Sequence, residues 1–400
     1  MVFAGKEAKK ILFIVENLPS PFDRRVWQEA TTLQQNGYEV SIICPTGKGY
    51  EKKYEVIDDI HIYRHNLPLE ADGALGYLFE YGAALFWEFY LSFKILFTRG
   101  FDAIHACNPP DLIFIVGGFF KIIFGKKFLF DHHDINPELY EAKFGRRDFF
   151  YKLMCLFERW TFKTANVSIA TNESYKRIAI ERGGMDPANI HVVRSGPKLD
   201  RLKIIDPVPS LKKGRKFMVG YVGVMGKQEG IDYLLRAAKY IIVDKKRDDV
   251  HFGLIGGGTE LEELKAYADE LDISDYVTFT GRVPDKELLE MLNTADVCVN
   301  PDVANEMNDK STMNKIMEYM ALAKPIVQFD LTEGRFSAQA ASLYANKNDE
   351  QDMAEKILQL LDDSEKRKRM GEFGRNRVVS ELEWDYEVPK LLAAYKQLFS

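Results

Sequence analysis

Cysteine is scarce in this 400-residue chain: there are four, Cys44, Cys107, Cys155 and Cys298, each isolated. That spacing makes neither a disulfide framework nor a thiolate metal cluster, and a reducing, cytoplasmic compartment is the natural setting. Long uncharged runs are missing too. The apolar stretch 11–15 ends at Glu16, too short for the core of a secretory signal. Glycine is absent from residues 16–23, the first strand-to-helix turn, which argues against a nicotinamide-dependent dehydrogenase. No Asp-x-Asp pair precedes a turn and no His/Cys cluster has ligand spacing, so no metal and no cofactor is expected. Excess positive charge is also lacking. Residues 1–200 carry 25 basic and 25 acidic side chains, and residues 201–400 carry 29 and 35. A chain of net charge −6 lacks the basic surface that a phosphate backbone needs, so nucleic acid is not an expected partner.

What is there alternates. With 46% apolar and 28% charged residues the composition is globular, and the length suits two or three domains. Short apolar runs at 11–15, 38–44, 103–106, 127–130 and 166–170 adjoin polar or proline-containing turns, with helical stretches between them. Asp23 can cap a helix starting at Arg24-Arg25, with Trp27, Ala30 and Leu33 as its apolar spacing. Strands alternating with helices predict a parallel α/β sheet, whose ligands bind at the C-terminal strand ends. Residues 200–215, with two prolines, a glycine and five basic side chains, read as a linker. A second series follows, with strands at 217–222, 251–255, 277–279, 297–300 and 325–329 and helices near 232–243, 260–270 and 314–322. The expected fold class is two Rossmann-like domains with an interdomain cleft, over 1–200 and 201–380. The tail is expected to be helical, with Trp384 and Tyr386 as anchors.

Four stretches carry chemistry. Gly220-Tyr-Val-Gly223-Val-Met-Gly226-Lys227-Gln-Glu-Gly230 follows a strand and opens a helix. Its glycines let backbone N–H groups approach an anion, and Lys227 can reach a diphosphate; packing alone is the bland reading. Gly256-Gly257-Gly258 is looser and reads as a flexible turn. In Lys310-Ser311-Thr312-Met-Asn314-Lys315-Ile-Met-Glu318, Ser311 or Thr312 can cap a helix whose first amides lie beside Lys315. Glu318 falls about one turn after Asn314, and a carboxylate there suits a ribose diol, unless it is only part of an exposed Glu–Lys surface. Asp131-His132-His133-Asp134 follows a strand. His133, or its rival His132, can donate to a leaving phosphate oxygen with Asp134 fixing the tautomer, or simply cap the next turn. Arg194 can contact phosphate or form a salt bridge.

Taken in order, Gly223, Gly226 and Gly230, Phe279-Thr-Gly281-Arg282-Val283, Ala295-Asp296, and Lys315-Ile-Met-Glu318 through Lys324-Pro325 resemble the donor half of the retaining family-4 glycosyltransferases of GT-B fold. Asp23-Arg24-Arg25-Val-Trp27 and Asp131 through Glu138 look like the acceptor half of bacterial surface-polysaccharide, O-antigen-type members. The resemblance implies transfer of a hexosyl group from a nucleotide-diphosphate sugar, a UDP-sugar foremost, without metal and with retention. The implied acceptor is a lipid-linked glycan in lipopolysaccharide-type synthesis at the inner face of the cytoplasmic membrane. It implies that His133 and Asp134 are catalytic, and that Gly223, Gly226, Lys227, Arg282, Val283, Ser311, Thr312, Lys315 and Glu318 bind the donor. Asp23, Arg24 and Arg25 would lie on the acceptor side, and a helix within 381–400 would return to the N-terminal domain. Two departures stand out. Lys310 occupies the place of the first glutamate of a paired-glutamate motif, with Glu306, Asn308 or Asp309 as substitutes, and Val224 and Glu229 stand where basic residues are often found.

Residues 75–101 are dense in aromatics, among them Tyr77, Phe79, Tyr81, Phe86, Trp87, Tyr90 and Phe97, but Glu80, Glu88, Lys94 and Arg99 interrupt any spanning run. With Lys121, Lys126 and Lys127 beside a second aromatic patch, peripheral membrane contact is expected, against core packing as the alternative. Two rival functions remain open: a nucleotide-sugar epimerase using Asp131, Asp134 and Glu138, and a catalytically silent scaffold, suggested by Lys310.

Overall fold

The computed structural model describes residues 8–66, 74–109 and 111–400; the side chains of 74–81, and with them Tyr77, Phe79, Glu80 and Tyr81, lie outside the described residues. The chain divides into two compact units, Met1–Arg194 with Val388–Ser400, and Ser195–Glu387.

The first unit holds β1 (Lys10–Ile14), β2 (Glu39–Pro45), β3 (Tyr54–Ile57), β4 (Ile60–His65), β5 (Ala103–Cys107), β6 (Lys127–His132), β7 (Val167–Ala170) and β8 (Ile190–Val192). They form one sheet in the order β3-β4-β2-β1-β5-β6-β7-β8, parallel throughout except for the β3–β4 pair. Parallel strands with helices on both faces are buried on both sides, which is why β1 and β5 are nearly continuous apolar runs and β6 is buried from Phe128 to His132. The exception is the edge. In β3 exposed and half-buried residues alternate, and Asp58 and Asp59 turn the chain into β4 with positive φ. Winding reverses between β1 and β5, so the loops after these strands flank a topological switch point.

The second unit holds β9 (Phe217–Val222), β10 (Val250–Ile255), β11 (Val277–Phe279), β12 (Val297–Asn300), β13 (Ile326–Phe329) and β14 (Ser342–Ala345). Their order is β11-β10-β9-β12-β13-β14, all parallel, with the switch point between β9 and β12. Successive residues of β9 serve opposite faces: Val219 and Tyr221 join one apolar cluster and Met218 the other.

Residues 200–215 do not hang free. Leu202 is buried, the Val208 N–H donates to Thr294 Oγ1 at 2.9 Å, and Lys212 Nζ donates to Asp296 Oδ2 at 2.7 Å. The segment is strapped along the helix Asp285–Thr294 of the second unit. The C-terminal helix Val388–Leu398 returns to the first unit and packs on β7 and β8 through Leu391, Ala394, Tyr395 and Leu398. Just before it Trp384 is buried, whereas Tyr386 is exposed and held only through its hydroxyl, which donates to Val379 O at 3.3 Å, because the short turn Trp384–Tyr386 buries only its first ring. Among the described residues no helix is long and apolar enough to cross a membrane.

Candidate active site

In the second unit three loops meet at the switch point. After Val222 the backbone turns through Gly223 and Gly226 into a 3-10 turn, Lys227–Glu229, and then the helix Ile231–Lys239. Gly230 has φ +61°, and a Cβ there would lie 2.1 Å from the Pro301 carbonyl oxygen, so glycine lets this turn touch the segment following β12. The second glycine loop is no flexible turn. The Met225 N–H donates to Gly257 O at 3.1 Å, and a Cβ on Gly256 would sit 1.7 Å from Gly223 O. Residues 256–258 buttress the turn that bears Gly223.

Lys315 projects from the first turn of the helix Asn314–Ala321. Its Nζ donates to Asp302 Oδ1 at 2.7 Å and lies 4.9 Å from the centre of the Tyr221 ring. Glu229 faces the same lysine and aspartate; burial above all raises both carboxyls, Glu229 and Asp302, above their ordinary range. One ammonium group and two carboxyls reluctant to ionise therefore share the end of β9 and β12. The N-cap is Met313, not Ser311 or Thr312. The reason is a preceding helix, Glu306–Lys310, which ends at Ser311 and draws its hydroxyl back onto Met307 O at 2.7 Å.

Glu318 lies one turn beyond Asn314, ion-paired with Arg201, whose second nitrogen is 3.3 Å from Asp285. Lys310 pairs with Glu306 at 2.6 Å. Asp309 accepts from the Thr332 N–H and hydroxyl, and Asn308 Nδ2 donates to Gln228 O at 2.8 Å. Each suggested stand-in for the missing glutamate thus already has a partner. Lys227 and Val224 are exposed on the glycine turn, Arg282 is exposed after Gly281, and Val283 packs against the apolar cluster of Met218.

In the first unit Asp23 caps its helix as expected, accepting from the Val26 N–H at 3.1 Å. Arg24 is exposed, but Arg25 turns inward and is spent on Asp131, with Nε to Oδ2 at 2.9 Å and Nη2 to Oδ1 at 2.8 Å. Asp131 also holds His133, Nδ1 to Oδ2 at 3.1 Å, so the carboxylate fixing that ring is Asp131 rather than Asp134. The cause is register: Asp131 is still in β6 and points inward, while Asp134 has left the strand and is held by Asn108, whose Oδ1 accepts from its N–H at 3.1 Å. Burial alone would lower the His133 pKa, but the Asp131 charge and hydrogen bond outweigh it and raise it to about 9. Burial also raises Asp134, while Asp131 stays well below the carboxylate range because Arg25 and His133 outweigh its burial.

His132 faces the other way. Its Nε2 lies 3.2 Å from Glu158 Oε1, and Arg182 ties Glu158 to Glu138. That buried cluster uses up Glu138, one of the carboxylates an epimerase reading relied on. Arg194 is buried at the end of the first unit. Glu29, His105 and Tyr395 stand in no motif of the sequence. Glu29 alone left a signal, four residues after Arg25 on one helix, where its Oε1 meets Arg25 Nη2 at 3.0 Å. Among the described residues one trio, His105, Cys107 and Asp131, brings potential metal-ligand atoms within 4.8 Å of one another. Arg25 and His133 already occupy both Asp131 oxygens, so the trio is part of the ion-pair network.

Residues 23–201 match the family described as "Glycosyltransferase Family 4", and residues 216–363 match "Glycosyl transferases group 1", one match in each half of the chain. With its two parallel sheets of Rossmann type the chain has the GT-B fold, and each of its halves matches a glycosyltransferase family. Among particular proteins, it is 20% identical over 376 residues to an uncharacterized glycosyltransferase of Methanocaldococcus jannaschii, covering 92% of this chain and 91% of that one. Its structure resembles sucrose-phosphate synthase of Thermosynechococcus elongatus with a TM-score of 0.81 at 19% identity, over 98% of this chain and 99% of the other. Anabaena HepE, solved in complex with UDP and glucose, gives a TM-score of 0.74 at 15% identity, over 97% and 99% of the two chains.

Proposed function

We propose that this glycosyltransferase moves a hexose from a nucleotide-diphosphate sugar to a hydroxyl of a lipid-linked glycan, with retention and without a metal, in cell-surface polysaccharide synthesis. The observation that carries the donor half is the meeting of the Gly223–Gly230 turn, Lys315 and Asp302 at the β9/β12 switch point. A diphosphate arriving there takes the Lys315 ammonium from Asp302 and accepts from turn amides, with Lys227 as a second cation. The ribose diol displaces Arg201 from Glu318, which then accepts two hydroxyl hydrogens. In the transfer the bond from the anomeric carbon to the diphosphate breaks and a bond to the acceptor oxygen forms. The acceptor proton passes to the leaving diphosphate. In the first unit His133, with its charge sustained by Asp131, is the group assigned to a substrate anion.

A lipid-linked acceptor accords with the outer surface of that unit. The helix Ala74–Thr98 packs Phe93 on Phe120 of the helix Phe114–Phe124, with ring centres 5.1 Å apart, and leaves Phe86, Tyr90 and Phe97 outward. Phe97 is 76% exposed and Ile122, on the second helix, 81%. Exposed large apolar side chains beside Lys126 and Lys127 suit an anionic bilayer surface. The test is release of nucleoside diphosphate from UDP-, GDP- and dTDP-sugars with a lipid extract as acceptor. Sugar in the lipid phase with one donor is expected; none with any donor overturns the reading.

A further inference from the structure

Behind His133 lies a closed chain of buried polar groups that the transfer reaction has not used. It starts on the C-terminal helix. Tyr395 Oη is 2.7 Å from His105 Nδ1, and the His105 ring is clamped by stacking on Phe13, with centres 4.1 Å apart. His105 Nε2 faces two carboxylates, Glu29 Oε2 at 3.4 Å and Asp131 Oδ2 at 3.8 Å. Arg25 bridges the same two carboxylates and donates its remaining nitrogen to Val193 O at 3.0 Å. Asp131 Oδ2 then holds His133. Glu29, His105 and Asp131 have side chains with no exposure, and His133, 11% exposed, is the histidine of this polar network that reaches the outside.

We propose that Tyr395 and Glu29 are positioning residues for His133, acting through His105 and the Arg25–Asp131 pair. This rests on the reading of His133 as a substrate-facing group. A neutral imidazole has one N–H, and its place is decided by what the other nitrogen meets. The Tyr395 phenol, kept protonated by burial, donates to Nδ1, so the His105 proton sits on Nε2, between Glu29 and Asp131. Burial lowers the His105 pKa and keeps that ring neutral. The N–H competes with His133 for the negative charge of Asp131, while Glu29, once it ionises above about pH 8, adds negative charge to the same cluster and draws on Arg25. The other titratable groups facing the cluster are Asp23 on the first helix, Cys107 on β5, Asp134 beyond β6 and Tyr38 against Tyr395.

The two residues therefore act in opposite directions. Tyr395→Phe lets the His105 proton leave Nε2, frees Asp131 charge for His133 and raises the His133 titration midpoint. Glu29→Gln removes the negative charge that Glu29 carries above about pH 8, where His133 titrates, leaves Asp131 as the one carboxylate on Arg25 and lowers that midpoint. Side-chain histidine NMR across pH on the full chain reads both effects, with shifts of at least about 0.5 pH unit expected. The His105 signal of the native protein should show the Nε2–H tautomer, which Tyr395→Phe should redistribute. Leu398→Ala, which loosens the same helix without touching a polar group, should leave the tautomer alone. Unmoved midpoints, or shifts of one sign in both variants, would overturn the proposal. If Tyr395→Phe does not fold, the isosteric Glu29→Gln decides the question through the direction of its shift. Unchanged turnover in His133→Ala, by contrast, would remove the role of His133 in transfer and leave the measured coupling standing.

Discussion

His133 and Glu29 both bind a proton more tightly in the folded chain than outside it, for different reasons. His133 rises from 6.5 to about 9 because Asp131 outweighs burial, and Glu29 from 4.5 to about 8 because burial outweighs Arg25. The signs agree. The stability from His133 is complete below pH 6.5 and lost as pH passes about 9, while Glu29 loses its part between pH 4.5 and about 8. The melting temperature of the first unit should therefore fall as pH rises from 5 toward 9, and Glu29→Gln should flatten the lower part of that slope. A slope unchanged by Glu29→Gln in thermal scans would count against a buried, protonated Glu29. In the second unit Glu318→Ala should weaken nucleoside diphosphate binding about tenfold or more, the worth of hydrogen bonds to a carboxylate. Equal affinity in calorimetry would take the ribose away from Glu318.

At the scale of elements, the glycine turn and its buttress stand or fall together. Gly256 has φ +137° with Gly223 O against its Cβ position, so Gly256→Ala must push the two loops apart. Loss of nucleotide binding with the unit still folded is expected, read by calorimetry beside circular dichroism; native affinity would show that the buttress is dispensable. Most of this frame was legible in the sequence, because buried parallel strands are uninterrupted apolar runs: β9, β11 and β12 lie where those runs predicted them. The β3–β4 edge hairpin and the four-residue β14 were not. One alternates weakly at an exposed edge, and the other is too short for a periodic signal. The site was legible only where its residues are neighbours in the chain. Asp23 announced itself as a cap, whereas His105 and Tyr395, 290 residues apart, meet only because the last helix crosses back onto β7 and β8. Arg25 misled for the opposite reason. It was expected on the acceptor side, but a buried aspartate on another strand claims it.

For the whole molecule, the even charge of the first half is distributed over a surface with large exposed apolar side chains on two helices. Lys121, a candidate for lipid contact, donates to Thr164 O at 2.6 Å, so its reversal would disturb the fold as well as the surface. Phe97→Asp with Ile122→Asp avoids that cost. The pair should abolish co-sedimentation with anionic vesicles while leaving nucleotide binding intact, and retained co-sedimentation would rule out this face as the membrane contact. Donor binding belongs to the β9/β12 switch point. Calorimetric titration of the purified chain with UDP, GDP and dTDP in EDTA tests it most directly. Micromolar binding of one nucleotide is expected, weakened by Glu318→Ala and by Lys315→Met. Folded protein that binds none of the three would contradict it.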